Sequence, residues 1–306
     1  MMRTHIALFL LASMTGTLAA ASEAPAQPVS TAAAAAVDQA GWDAQKRRVK
    51  LQSGLELAYV ELGNPQGRPL LLLHGFTDSS RAWSLLVPHL RHYRLIIPDQ
   101  RGHGASDAPA CCYSPTQMAD DARQLLDALK IDRASVAGHS MGSMVTMAMA
   151  AEHPDRVERI VLVGSTALAP VKRGDWIWTN VHGLKWPLDP ASDFLREWHP
   201  GNQPTPVERT FADAAMKDIL SVQPHVWRGV IRELTEVPVA RHAADVRAPV
   251  LILSGEKDPL FPAEHHQALV KAFPGAGARV YPGLGHNFLW EQPAEVAQAI
   301  VSFMGD

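Results

Sequence analysis

Cysteine is scarce in this sequence: of 306 residues only Cys111 and Cys112 are cysteine, and they stand side by side. No His or Cys pair near them has ligand spacing, so no metal site is expected. The adjacent thiols leave a vicinal disulfide, a bridge to another molecule and two free thiols all open, because spacing does not fix pairing. An excess of either charge is missing too, with 28 Lys and Arg against 31 Asp and Glu and no basic stripe. That balance argues against nucleic acid or an anionic membrane surface as the main partner. The apolar run Ile6 to Leu11 falls short of the roughly 20 residues a spanning helix needs, so no stable membrane anchor is expected. Arg3 and His5 precede that run, and Ala19-Ala20-Ala21 follow it. Together they read as an export signal over residues 1–21, cut before Ser22, with the mature chain periplasmic or extracellular. No cysteine follows the cut, which argues against a lipid anchor.

Residues 22–43 are rich in Ala, Pro, Gln and Ser and read as a low-complexity linker without a catalytic role. Arg47 to Leu51 and Leu55 to Leu62 alternate about Ser53-Gly54, which predicts an antiparallel hairpin at a sheet edge. Leu70–Leu73, Tyr93–Pro98, Arg133–Ala137, Arg156–Val163, Pro249–Ser254 and Arg279–Pro282 are strand-like runs, the Leu70–Leu73 stretch wholly apolar as in a strand covered on both faces. Helices are expected over Ser80–Arg91, Pro115–Leu129, Met141–Glu152 and Glu291–Met304, with Asp120, Asp121, Arg123 and Lys130 facing outward. Between Thr166 and Val237 buried strands vanish, prolines punctuate short helical pieces, and Trp176, Trp178, Trp186, Trp198 and Trp227 all appear. The organisation is therefore one α/β core, residues 44–165 and 239–306, interrupted by a helical insertion over 166–238. Its tryptophans either roof an apolar, water-poor pocket, for which Trp176, Trp178 and Trp186 are the candidates, or fill a small core of the insertion.

The chemistry centres on Gly138-His139-Ser140-Met141-Gly142, between a strand and a helix. In so tight a turn the residues two before and two after the serine nearly touch, so both must lack a side chain. The turn lifts the Ser140 hydroxyl clear of the backbone and marks it as a nucleophile. The strand ending at His74-Gly75 aims the Phe76 N–H at the same space. The Met141 N–H, at a helix start, supplies a second donor for a developing oxyanion. His74 is expected to brace its loop. Asp99 to Asp107 lack the lysine of a phosphate loop and are expected to be held by an Arg101–Asp99 or Arg101–Asp107 network. The strand after the elbow ends in Gly164-Ser165 without a carboxylate, so the acid must come from Asp258 or Glu256, beyond a later strand. Of 14 histidines, only His286 combines a strand end, a glycine hinge and the chain order Ser, Asp, His. His265 and His266 are expected to face solvent.

Leu70–Phe76, Pro98–Asp107, Gly138–Ser143, Glu152–Ser165, Leu251–Pro262 and Gly283–Pro293 together resemble the α/β-hydrolase superfamily, in its branch of small esterases, lactonases, cofactor-free haloperoxidases and C–C bond hydrolases. The resemblance covers roughly Arg47 to Met304, with a divergent middle. It implies an α/β-hydrolase fold: a mostly parallel eight-stranded sheet flanked by helices, with the insertion as a helical cap. It favours Asp258 over Glu256 as the acid. The implied activity is a serine hydrolase without cofactor, cleaving a small-molecule carboxylic ester or lactone with an apolar moiety through an acyl-enzyme on Ser140, His286 and Asp258. A C–C bond hydrolase, a perhydrolase and a ligand-binding hydrolase relative are the alternatives. A peptidase is less expected, because the Gly-Gly-x-Trp-Gly elbow is absent.

Overall fold

A computed structural model describes residues 37–305 of the chain. The expected signal segment, and most of the linker, lie outside the described residues. Eight strands form one sheet in the order β1-β2-β4-β3-β5-β6-β7-β8. They are β1 (Arg47–Lys50), β2 (Glu56–Gly63), β3 (Pro69–Leu73), β4 (Arg94–Pro98), β5 (Ala134–His139), β6 (Val157–Val163), β7 (Val250–Gly255) and β8 (Gly277–Tyr281). The β1–β2 hairpin is antiparallel, as is the β2–β4 pairing, and every later pairing is parallel. A parallel sheet needs helices on both faces, so its strands read as unbroken apolar runs. In β3, Leu71 and Leu73 join the core beneath one face while Leu70 and Leu72 join the other, and all four are at most 1% exposed. This is the two-residue period of a strand between two covered faces.

Helices α1 (Pro115–Ala128) and α2 (Met141–Glu152) cover the first face, and α10 (Pro293–Met304) with the 3₁₀ stretch Ser80–His89 covers the second. Residues Met141–Ala150 of α2 are all buried, which explains a helix without a polar stripe. Between β6 and β7 lie α3 (Trp176–Gly183), α4 (Asp193–Glu197), α5 (Arg209–Ser221), α6 (Pro224–Leu234) and α7 (Val239–Asp245). After β7 come α8 (Ala263–Ala272) and α9 (Phe288–Glu291), so the expected closing helix is broken ahead of Pro293. Among the described residues no helix is long and apolar enough to cross a membrane.

Three local expectations are corrected. The linker reading runs too far, because Gln39 Nε2 donates to Ser84 Oγ at 2.9 Å and the Trp42 ring is buried, its Nε1 donating to Ser80 Oγ at 3.2 Å. Asp121 does not face outward: it is 3% exposed and accepts from Arg101 Nε and Nη2 at 2.5 and 2.6 Å. A buried guanidinium needs a carboxylate matched to its fork, and Asp121 on α1 supplies it in place of Asp99 or Asp107. Asp99 instead takes the Lys46 ammonium at 2.8 Å and the Ser80 and Ala105 amides, and Asp107 takes the Glu56 amide. Burial by itself would raise the Asp99 carboxyl, but Lys46 and these amides outweigh it and hold the group below its ordinary value. Cys111 and Cys112 are joined in a disulfide.

Candidate active site

Strand β5 delivers Ser140 into a backbone conformation with φ 52° and ψ −120°, a left-handed-side geometry that side chains rarely adopt. The flanking glycines are needed for contact reasons. A Cβ at Gly138 would stand 2.1 Å from Gly142 O, and one at Gly142 would stand 2.3 Å from Leu73 O. The Ser140 N–H donates to Val163 O at 2.9 Å, and Ser143 Oγ donates to Ser140 O at 2.5 Å, so the strained turn is held from both sides.

Asp258 follows β7 and His286 follows β8. Asp258 Oδ1 accepts the Leu260 and Phe261 amides, both at 2.9 Å, while Oδ2 accepts from His286 Nδ1 at 2.7 Å. His286 Nε2 lies 2.9 Å from Ser140 Oγ. The ring therefore carries its proton on Nδ1 and turns a lone pair toward the hydroxyl. Burial would raise the Asp258 carboxyl, but the His286 ring and the two amides outweigh it and keep the group below its ordinary value. Glu256 is occupied elsewhere, accepting the Gly283 amide at 2.7 Å, and so ties the β7 loop to the β8 loop. The geometry thus pairs His286 with Asp258 and not with Glu256.

His74 braces its loop as expected: Nδ1 donates to Gly75 O at 2.8 Å and Nε2 accepts the Gln100 amide at 2.9 Å. Burial lowers its basicity, and burial pushes His103 down to about 3. His265 and His266 are only partly exposed, and their Nδ1 atoms meet Thr166 Oγ1 at 2.7 Å and Ser254 Oγ at 2.9 Å rather than solvent. Both face back from α8 onto strand-end hydroxyls. Neither is hydrogen-bonded to Ser140, whose hydroxyl meets His286 instead.

Ser140, His286, Phe76 and Met141 line one cavity of about 680 Å³. No acceptor among the described residues takes the Phe76 or the Met141 N–H. Met144, Val171, Ile177, Leu234, Leu260 and Phe261 give the cavity an apolar wall. Of the three tryptophans expected there, Trp176 lines it and Trp178 and Trp186 do not. Two residues on a helix project about 200° apart, so Trp176 and Trp178 of α3 cannot share a face. Trp178 stacks on His182 beneath Arg173, and Trp186 lies beneath Arg228. Trp198 and Trp290 line the cavity instead, and Trp227 fills the insertion's core against the Phe76 ring at 5.1 Å. Both readings of the insertion's aromatics therefore hold, each for different rings.

Thr77, beside the Phe76 amide, was not anticipated. It has φ 67°, is fully buried, and accepts the Trp198 indole N–H at 2.9 Å. A β-branched residue with positive φ persists only where its surroundings hold it, and here the insertion does so. Asp78 and His139 also line the cavity and were likewise missed as site residues. Among the described residues no group of His, Cys, Asp and Glu is arranged to hold a metal ion.

Comparison with known proteins places this geometry in a family. Residues 68–211 match the model of the alpha/beta hydrolase fold, and residues 232–302 match that of the dienelactone hydrolase family. Lipase 1 of Psychrobacter immobilis is 27% identical over 276 residues, spanning 85% of this chain and 84% of that protein. The solved esterase from Exiguobacterium antarcticum superposes with a TM-score of 0.75 at 20% identity, covering 85% of this chain and 99% of the other. A solved N-acyl homoserine lactone degrading enzyme gives a TM-score of 0.66 at 28% identity, over 84% of this chain and all (100%) of that one. With the eight-stranded sheet, the glycine-flanked serine and these matches, the chain belongs to the α/β-hydrolase superfamily.

Proposed function

We propose that the protein is a serine hydrolase acting on a carboxylic ester, open-chain or lactone, with an apolar part. The observation that carries this reading is the hydrogen-bonded series Ser140, His286, Asp258, at 2.9 and 2.7 Å, opening into an apolar-walled cavity. His286 Nε2 takes the Ser140 proton as Oγ attacks the carbonyl carbon. Asp258 fixes the ring tautomer and stabilises the imidazolium without taking the proton. The Phe76 and Met141 amides receive the oxyanion, each donor contributing about 3 kcal/mol in the transition state. The tetrahedral species collapses, His286 hands its proton to the leaving alcohol, and the acyl group stays on Oγ. Water then attacks, deprotonated by the same ring, and the acid leaves with Ser140 restored. The lipase, esterase and lactone-degrading relatives support this class of substrate. Residues 1–21 support the further proposal that the enzyme acts after export; amino-terminal sequencing of the secreted or periplasmic chain, expected to start at Ser22, tests it.

The deciding experiment labels the purified protein with a fluorophosphonate and measures p-nitrophenyl ester hydrolysis. Wild type is expected to label and turn over. Ser140→Ala is expected to do neither while melting as a folded protein. Absence of labelling in wild type would favour a ligand-binding relative instead.

A further inference from the structure

One buried carboxylate beside the site has no part in the proposed mechanism. Glu291, at the end of α9, is 8% exposed, and its two oxygens are met by backbone amides rather than by a Lys or Arg. Oε1 accepts the Gly285 N–H at 3.0 Å, and Oε2 accepts the Thr205 N–H at 2.8 Å. Two donors on two oxygens suit the ionised carboxylate, which only accepts. Taking that charge out of water is costly, and the two charge-assisted bonds offset the cost only while both amides stay in place. The side chain is therefore a bracket between two segments far apart in the sequence. Its base is rigid: Phe288 and Leu289 of α9 are fully buried, and the Trp290 indole N–H donates to Ala82 O at 2.9 Å.

The first segment is the turn that carries His286. Several of its bonds run to the core. The Gly283 N–H reaches Glu256 Oε2 at 2.7 Å, Leu284 O accepts the Lys257 N–H at 2.8 Å, and His286 O lies 3.3 Å from His139 Nε2. Gly285 also meets the second segment. A Cβ there would stand 3.1 Å from Pro204 Cδ and 3.5 Å from Gln203 Oε1, so the insertion lies directly on this glycine. Gln203 and Pro204, next to Thr205 in the chain, line the cavity. Glu291 thus joins a wall of the substrate cavity to the residue preceding the proposed general base. The His286 ring, 2.7 Å from Asp258 and 2.9 Å from Ser140, tolerates little movement, since a misplacement of about 1 Å costs about a hundredfold in rate.

We propose that Glu291 is a positioning residue for His286: it fixes Gly285 and the 203–205 wall in one register, so that the ring stays between Asp258 and Ser140. This rests on the ester-hydrolase reading above and adds a residue to the working parts of that site.

The test is Glu291→Gln, which keeps the shape but accepts only one of the two N–H groups, its NH₂ facing the other. On p-nitrophenyl butanoate kcat is expected to fall about tenfold with KM kept within about twofold, and the rate constant of fluorophosphonate labelling to fall by the same factor as kcat. Glu291→Ala is expected to lose about a hundredfold in both rates. The far-downfield proton resonance of His286 Nδ1, which reports its bond to Asp258, is expected to shift or broaden in Glu291→Gln, a readout that needs no turnover. A Glu291→Gln variant that does not fold, or that melts lower but keeps kcat, labelling rate and resonance, overturns the proposal and leaves Glu291 a bracket of the fold only. A change confined to KM overturns it as well and assigns the residue to the cavity wall. A wild type that neither labels nor hydrolyses, with the resonance still moved by Glu291→Gln, would sink the ester reading and leave the positioning role standing.

Discussion

The sheet and the insertion between β6 and β7 solve the same problem of burial by different means. In the sheet, position follows from the ladder: Leu71, Val136, Leu162 and Ile252 stand on adjacent strands and are all 0% exposed. In the insertion, short helices separated by prolines bury residues such as Ile219, Trp227 and Ile231 in the same core as the sheet, and side-chain hydrogen bonds tie them down further. Trp198 donates to Thr77, Asp218 accepts from Ser79 and Arg81, and Glu291 accepts the Thr205 amide. Ser140, Asp258 and His286 sit where the strands end, after β5, β7 and β8. The insertion supplies walls and holds the Phe76–Thr77 turn. Scaffold and pocket are thus separable in their physics, although they meet at that turn.

The comparison can be broken most sharply at the strand ends. Asp258→Asn is expected to lower kcat by about 10⁴, because the ring would settle in the wrong tautomer, while Glu256→Gln should change kcat little. Steady-state kinetics on both variants checks this, and a severe glutamate effect alone would move the acid to Glu256. Next in size is burial. Leu162→Ala should destabilise by about 2–5 kcal/mol in chemical denaturation, and Trp178→Ala, a half-buried ring at the edge of the core, by only about 1 kcal/mol. Equal losses would mean that the insertion packs as tightly as the sheet. A smaller effect is expected where the two regions touch. Trp198→Phe and Thr77→Val each delete one end of a single hydrogen bond and should reduce kcat about tenfold with KM nearly kept, Thr77→Ser restoring the rate. A change confined to KM would assign the pair to substrate binding. The smallest effect concerns Cys111 and Cys112, which close a loop of adjacent residues. Reduction should therefore cost about 1 kcal/mol of stability at most, read as a small fall in Tm under reductant.

Much of the scaffold was legible in the sequence because the signals are local. A wholly apolar run, a glycine pair about a serine and a carboxylate just past a strand each report a geometry spanning a few residues. The expectation for Ser140, Asp258 and His286 rests on signals of that kind, and the structure brings the three side chains into one hydrogen-bonded series. Misreadings occurred where a side chain's partner lies far along the chain. Arg101 reaches across 20 positions to Asp121, and no spacing rule selects that carboxylate over Asp99 or Asp107. The outward reading of Asp121 failed for the same reason, since a charged residue on a helix is buried only when its counter-ion comes from another element. Trp178 and Trp186 were wrongly paired with Trp176, because helices joined by irregular turns do not announce which face meets the core.

By itself the sequence indicated which runs enter the sheet, and that one hydroxyl, one imidazole and one of two carboxylates would follow the ends of three of them. Only the tertiary structure paired His286 with Asp258 rather than Glu256 and brought Trp198 onto Thr77. The physical reason is range. Backbone conformation and burial are dictated within a turn or a strand, whereas the pairing of polar groups depends on where separate loops arrive once the sheet has closed.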